Sequence, residues 1–254
     1  MIPDPEDIRA LRRDKYEDDP AADMEADLAR LSSGEPLAYV IGWQPFLGLK
    51  VWLDSRPLIP RPETEWWTEL LIQDLRARFG EKPFSFLDLC AGSGAIGLSV
   101  LKHLPNAEVA FAELIPAHAK TIRKNIVENG LDAKRAEICT GDLFDALTLG
   151  QELARFDCIA ANPPYVPHER DLPEEVADFE PAEALYAGPD GLALIRRIAH
   201  DAPKHLRPGG SLWMECDSDH AECGRLLLLA CGARSAELHT DLYGRPRLLV
   251  SYYD

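Results

Sequence analysis

Positive charge is what this chain most lacks. Lys and Arg number 27 against 43 Asp and Glu, a formal net charge of −16. Such a surface repels phosphate backbones at long range, and no Lys/Arg-rich tract offsets it, so stable binding to nucleic acid is not expected. Long apolar runs are missing too. No stretch approaches the ~20 residues of a membrane helix, and Leu226 to Leu229 read as a buried helix face, so no membrane association is expected. The start, Met1-Ile2-Pro3-Asp4-Pro5-Glu6-Asp7, has no basic segment followed by an apolar one, which argues against a secretory signal. The six cysteines include no Cys-x-x-Cys pair. The spacing of Cys216, His220, Cys223 and Cys231 matches no familiar zinc site, so no metal is expected. Reduced thiols in apolar runs fit a reducing, cytoplasmic location. There is no internal repeat and no low-complexity tract.

What is present suffices for a sizeable core: 254 residues, 46% of them hydrophobic. Residues 1–35 hold eleven acidic and five basic residues. They read as a short helical segment, with helices over Asp4–Glu17 and Ala21–Leu31. Ile8, Leu11, Tyr16, Met24, Leu28 and Leu31 form one thin apolar stripe. Residues 36–80 read as a β-hairpin and a connecting helix. Strands are expected over Tyr39–Trp43 and Lys50–Leu53, then a proline-fixed strap, Pro57 to Pro62, then a helix opened by Glu63-Thr64-Glu65 and running to about Phe79.

From residue 81 to the C-terminus strands and helices alternate. Strands are expected over Ser85–Cys90, Glu108–Glu113, Ala136–Thr140, Phe156–Ala161, Ser211–Cys216, Arg234–Thr240 and Arg247–Tyr253. Helices are expected over Ala95–His103, Pro116–Asn129, Ala146–Leu153, Leu192–Leu206 and Asp219–Ala230. The strand runs are continuously apolar, as in sheets buried on both faces. The pattern is α/β: a Rossmann-like, doubly wound sheet of seven strands, closed by an antiparallel strand because no helix separates the last two.

The first of these strands runs into Ala91-Gly92-Ser93-Gly94-Ala95-Ile96-Gly97, a G-x-G-x-x-G ahead of a helix. Glycines there let backbone approach a ligand closely, for a dinucleotide or another adenosine cofactor alike. The neighbouring acids discriminate. Asp88, before the loop, would repel a pyrophosphate but suits a ligand carrying an amino group and a sulfonium, as S-adenosylmethionine does. Glu113 ends the next strand, where an acid can hold ribose hydroxyls. Asp142, after the third, can accept from an adenine amino group.

The fourth strand ends in Asn162-Pro163-Pro164-Tyr165. A planar amide or exocyclic amine is a poor nucleophile because its lone pair is delocalised. A site that accepts both its N–H protons turns that pair toward a methyl donor. The Asn162 side-chain oxygen and the Pro163 carbonyl are the two acceptors. Pro163 and Pro164 hold the loop extended, and Tyr165 offers a flat face for stacking. Asn162, Pro163 and Tyr165 are thus the candidate catalytic residues, and Asn162 also borders the cofactor. The acidic run that follows, Glu169 to Glu183, reads as a solvated loop or as a face for a basic partner. His168 is a weak candidate for a general base.

These residues resemble those of the HemK-type release factor glutamine methyltransferases. Asp88 to Gly94 and Asn162 to Tyr165 are shared with several nitrogen methyltransferases. More specific are Pro36-Leu37-Ala38-Tyr39-Val40-Ile41-Gly42, Phe46-Leu47-Gly48-Leu49, Leu58 to Glu65, and Phe179-Glu180-Pro181 with Ala184-Leu185 and Gly191-Leu192. The resemblance implies a class I methyltransferase domain over residues 81–254. It implies S-adenosylmethionine as cofactor and, as substrate and partner, the Gly-Gly-Gln glutamine of a class 1 peptide chain release factor. It places Cys90, Ala91, Gly92, Ser93 and Gly94 at the methionine end of the cofactor, Glu113 at the ribose, Leu143 beside adenine, and Asn162 to Tyr165 around the glutamine. Arg61 and Glu63 would belong to a strap over the cofactor. The chain departs from the family in reading Cys90-Ala91 for Gly-Thr, in having Glu113 for the more usual Asp, and in its shorter N-terminal helical part.

Three other readings remain at this point. A nucleic acid base methyltransferase also uses Asn-Pro-Pro-Tyr. A nicotinamide oxidoreductase uses the glycine loop, but no Tyr-x-x-x-Lys accompanies it. A binding module would keep the fold without turnover.

Overall fold

Helix formation begins where the chain first offers a cap. In the computed structural model, which describes residues 2–147 and 154–254, the Asp4 side chain accepts from the Glu6 N–H at 2.7 Å, and Pro5 occupies the first helical position. They start α1 (Pro5–Tyr16), and α2 spans Glu25–Ser32. The expected stripe closes on a third helix, α3 (Leu37–Ile41), through a small core of Leu11, Met24, Leu31 and Val40. Buried Asp27 fastens it, accepting from the Tyr16 hydroxyl at 2.8 Å and pairing with Lys15 at 2.6 Å and Arg30 at 3.1 Å.

Helix α3 corrects the expected strand over Tyr39–Trp43. Tyr39, Val40 and Ile41 favour strands, but Pro36 caps the helix and Gly42, at φ 99°, ends it. Burial of Ala38, Tyr39 and Val40 overrides the local preference. The hairpin follows later, with β1 (Trp43–Phe46) antiparallel to β2 (Leu49–Trp52). Leu47 and Gly48 form its two-residue turn, both at positive φ (42° and 74°), as the twist of paired strands favours. The strap then leads into α4 (Pro62–Phe79), whose Trp67, Leu71 and Leu75 recur every four residues and are fully buried.

The remaining elements are β3 (Phe84–Leu89), α5 (Ala95–His103), β4 (Ala107–Glu113), α6 (Pro116–Glu128), β5 (Ala136–Thr140), β6 (Phe156–Ala161), α7 (Glu174–Ala177), α8 (Ala193–His205), β7 (Leu206–Glu215), α9 (Ala221–Ala230), β8 (Ser235–Thr240) and β9 (Pro246–Tyr252). Seven of the strands form one sheet in the order β5-β4-β3-β6-β7-β9-β8. β9 runs antiparallel to both neighbours, and the other pairs are parallel. The expected doubly wound sheet with its antiparallel closing strand is therefore present.

Side chains alternate across β3. Phe84 and Phe86 enter the core with α4, α5 and α6, while Leu87 and Leu89 enter the core with α8 and α9. The helix expected over Ala146–Leu153 lies mostly outside the described residues; before it, Leu143–Leu147 form a 3-10 turn. Among the described residues no helix is long and apolar enough to cross a membrane.

Strand order reverses between β3 and β6, because the chain builds β4 and β5 on one side before returning to the other. At such a switch point the loops leaving the carboxyl ends splay apart and leave a crevice. The loops after β3, β4, β5 and β6 carry the candidate residues.

Candidate active site

A cavity of about 420 Å³ opens at this reversal, within the usual range for ligand pockets. Its wall includes Cys90, Ala91, Gly92 and Ser93 after β3, Glu113 at the end of β4, Asp142 and Leu143 after β5, and Asn162 and Pro164 after β6. The structure thus brings most of the predicted site to one place. Leu58 and Pro60 of the strap and Thr64 of α4 close one side.

The glycine loop is held from three directions. Glu113, 6% exposed, accepts from the Gly92 N–H through Oε2 at 2.7 Å and from the Ile115 N–H through Oε1 at 2.8 Å. Asn125 of α6, fully buried, donates to the Ser93 carbonyl at 3.0 Å and accepts from the Trp52 N–H at 2.7 Å, tying loop, helix and hairpin together. The third tie comes from Asp88, and it corrects an expectation. Asp88 is not at the cavity wall. It lies on the same sheet face as Phe84 and Phe86, 0% exposed, and its Oδ2 accepts from the Gly97 N–H of α5 at 2.8 Å. Burial pushes its carboxyl well above the usual carboxylate range. It serves the cofactor loop from behind rather than facing a cationic ligand. Gly94, at φ 84°, is likewise behind the wall, as the N-cap of α5.

Cys90 sits at φ 60°, in the left-handed region where side chains are strained and glycine is not. Its thiol is pushed up by burial and then by Glu113, Asp88 and Asp142. Asp142 lines the cavity but is engaged by Arg197 at 2.9 Å. Leu143 is buried against the same wall.

At the other end of the cavity, the Asn162 side-chain nitrogen donates to the Thr64 hydroxyl at 3.1 Å. Thr64 donates to Glu215 Oε2 at 2.6 Å, Trp67 Nε1 donates to the same oxygen at 2.7 Å, and the Tyr165 hydroxyl donates to Oε1 at 3.0 Å. Glu215 is 1% exposed; burial raises its pKa and these three donors oppose the rise. Tyr165 is half-buried with its hydroxyl committed to Glu215, and neither it nor Pro163 is part of the cavity wall. The expected stacking platform is therefore not displayed there; Pro164 and Tyr186 line the wall instead.

Sequence reasoning missed Thr64, Glu215 and His118. Thr64 lay inside a quoted motif, and Glu215 ends a strand like the acids that were found. His118 lines the cavity, its pKa lowered by burial, with Nδ1 2.8 Å from the Ser55 hydroxyl. The strap residues Arg61 and Glu63 face away from the wall, Arg61 to buried Glu180 and Glu63 to Arg245 at 3.0 Å. His168 is exposed and packs edge-on against Tyr186. Among the described residues no group of three or more His, Cys, Asp or Glu is placed to hold a metal.

The family model Methyltransferase small domain matches residues 63–179, from the start of α4 past the Asn162 loop. The release factor glutamine methyltransferase of Bordetella pertussis is 39% identical over 225 residues, spanning 88% of this chain and 80% of that protein. This chain belongs to the release factor glutamine methyltransferase family. The relative from Rhodopirellula baltica is 35% identical over 224 residues, spanning 87% of this chain and 74% of that one.

Solved structures agree on the fold. A Pyrococcus furiosus methyltransferase superposes with a TM-score of 0.58 at 17% identity, covering 88% of this chain and 96% of that one. A T. thermophilus 16S rRNA methyltransferase solved with AdoMet and guanosine gives 0.56 at 21%, covering 84% of this chain and 50% of that one. Within the glutamine methyltransferase family, Glu113 has a structural consequence. Its side chain is one methylene longer than Asp and here reaches from the end of β4 to Gly92.

Proposed function

We propose that this chain transfers a methyl group from S-adenosylmethionine to the side-chain amide nitrogen of the glutamine in the Gly-Gly-Gln loop of class 1 peptide chain release factors. The orientation of Asn162 carries the reading. Its amide nitrogen is committed to Thr64, so its carbonyl oxygen is left to accept an N–H from a substrate at the end of the cavity.

The cavity suits the cofactor. Glu113 supplies a buried carboxylate for ribose hydroxyls, Leu143 an apolar wall for adenine, and the Cys90–Ser93 loop a backbone cradle for the amino acid end. When bound, S-adenosylmethionine supplies an electrophilic methyl carbon on a sulfonium. The chain's own residues do the rest. Asn162 Oδ1 and the Pro163 carbonyl accept the two amide protons and turn the nitrogen's lone pair toward the methyl donor. Pro163 and Pro164 keep that pair of acceptors fixed. Positioning and a preorganised polar environment then supply most of the acceleration. The alkylated nitrogen sheds one proton to solvent without a strong base.

Asp171, Glu174, Glu175, Asp178 and Glu183 are exposed beyond the reaction loop and form an acidic approach for a basic protein surface. The six cysteines are free thiols, which fits the reducing cytoplasm where translation occurs.

Tritiated methyl transfer to a release factor, to DNA and to RNA, assayed in parallel, tests the proposal. Label is expected on the release factor glutamine, located by mass spectrometry. Label on nucleic acid alone overturns it. Asn162→Ala should lower turnover by more than about 100-fold while cofactor affinity stays within about threefold.

A further inference from the structure

We propose that Glu215 and Thr64 are positioning residues that fix which end of the Asn162 amide faces the substrate, and thereby select glutamine over glutamate. The inference rests on the reading of Asn162 as acceptor of the substrate amide.

The argument follows the protons. Trp67 Nε1–H can only donate, so the oxygen it meets at 2.7 Å, Glu215 Oε2, is an acceptor. Thr64 lies 2.6 Å from that same oxygen. A hydroxyl has one proton, and here it goes to Glu215. The Thr64 oxygen is then left with acceptor capacity only. The Asn162 group 3.1 Å from it must be the amide nitrogen, and Oδ1 takes the opposite branch. Tyr165 donates to the other Glu215 oxygen at 3.0 Å and adds no competing acceptor. A donor-only indole and the carboxylate it meets thus set the polarity of an amide three hydrogen bonds from the indole.

The consequence is specific. With Oδ1 facing the substrate, a carboxamide offers it an N–H and is held. A glutamate carboxylate offers only lone pairs and is repelled. Were Asn162 turned over, its NH2 would favour the carboxylate. Thr64 and Glu215 touch neither reacting atom; they act through Asn162.

The test uses the full chain with an intact release factor, carrying either Gly-Gly-Gln as substrate or Gly-Gly-Glu as competitive inhibitor. Thr64→Val keeps the shape and removes the hydroxyl. We expect kcat to fall about 10- to 100-fold, with S-adenosylhomocysteine affinity within about threefold. The preference for glutamine over glutamate, as the ratio of inhibition constant to KM, should shrink about tenfold. Thr64→Ser should recover most of both.

Glu215→Gln separates polarity from charge. Its oxygen is drawn to Trp67 and still accepts from Thr64, so the preference survives. Glu215→Leu frees the Thr64 proton, so the preference collapses. A full preference in Thr64→Val, or a lost one in Glu215→Gln, overturns the inference. If Asn162→Ala itself leaves turnover intact, the functional reading has failed instead. If Glu215→Leu does not fold, the Gln and Val variants still decide.

Discussion

Glu113 Oε2 accepts from the Gly92 N–H at 2.7 Å, so the acid that ends one strand holds the loop that leaves its neighbour. Its other oxygen takes the Ile115 N–H at 2.8 Å. Both acceptors are engaged before any ligand arrives, and each keeps a second lone pair for a hydroxyl. Glu113→Gln is therefore a severe change despite its shape. One of the two backbone N–H groups must meet an NH2 instead of an oxygen. We expect a stability loss of about 1–3 kcal/mol and an S-adenosylhomocysteine affinity about tenfold weaker, read by denaturation and calorimetry. Affinity equal to wild type would show that Glu113 does not organise the loop.

Cys90 occupies a left-handed backbone position at φ 60°. At an ordinary position Ala is more stable than Gly by about 0.5–1 kcal/mol, because glycine gives up more chain entropy. At residue 90 that order should invert. Ala keeps the strain and Gly removes it, so Cys90→Gly should exceed Cys90→Ala by about 1 kcal/mol in denaturant unfolding. The same midpoint order as at ordinary positions would mean that the loop relaxes without strain.

The glycine-loop half of the candidate site was legible because its requirements are local. Glycines at Gly92 and Gly94 follow from backbone conformation, and Glu113 and Asp142 from their places at strand ends. The direction of Asp88 was not local. It depends on which sheet face the residue takes, and that face packs on α5. The pair Thr64 and Glu215 lies 151 residues apart in sequence, so only the packing of α4 over the end of β7 brings them together. The strand expected over Tyr39–Trp43 failed for the opposite reason. Its residues carry a strand preference, which Pro36, Gly42 and a buried helix face outweigh.

Asp88 makes stability depend on pH in a definite sense. Its folded pKa lies well above the unfolded value of about 3.9. Between those two values the folded chain holds a proton that the unfolded chain has lost. Stability therefore falls as pH rises from about 4, and levels off only above the folded pKa. Asp88→Asn keeps an oxygen for the Gly97 N–H and cannot ionise. Relative to wild type, the variant should gain stability as pH rises above about 4, until Asp88 itself ionises in the folded chain. A difference that stays constant above pH 4 would show that Asp88 titrates normally.

Gly97 is the third glycine of the cofactor loop motif, and its role is packing. A β-carbon built there would overlap Phe111 Cε1 and stand 3.0 Å from Asp88 Oδ2. Phe111 is fully buried and cannot swing to solvent. Gly97→Ala should therefore push α5 off the sheet at a cost of about 1–3 kcal/mol, despite the better helix propensity of alanine. The motion also lengthens the bond from the Gly97 N–H to Asp88 and loosens the loop above it, so cofactor affinity should fall with stability. Phe111→Leu alone leaves a void and destabilises. Combined with Gly97→Ala it makes room for the methyl group, so the double variant should lose about 1 kcal/mol less than the sum of the singles. A double-mutant cycle in urea measures that difference, and strict additivity would mean that the contact with Phe111 does not dictate glycine at 97.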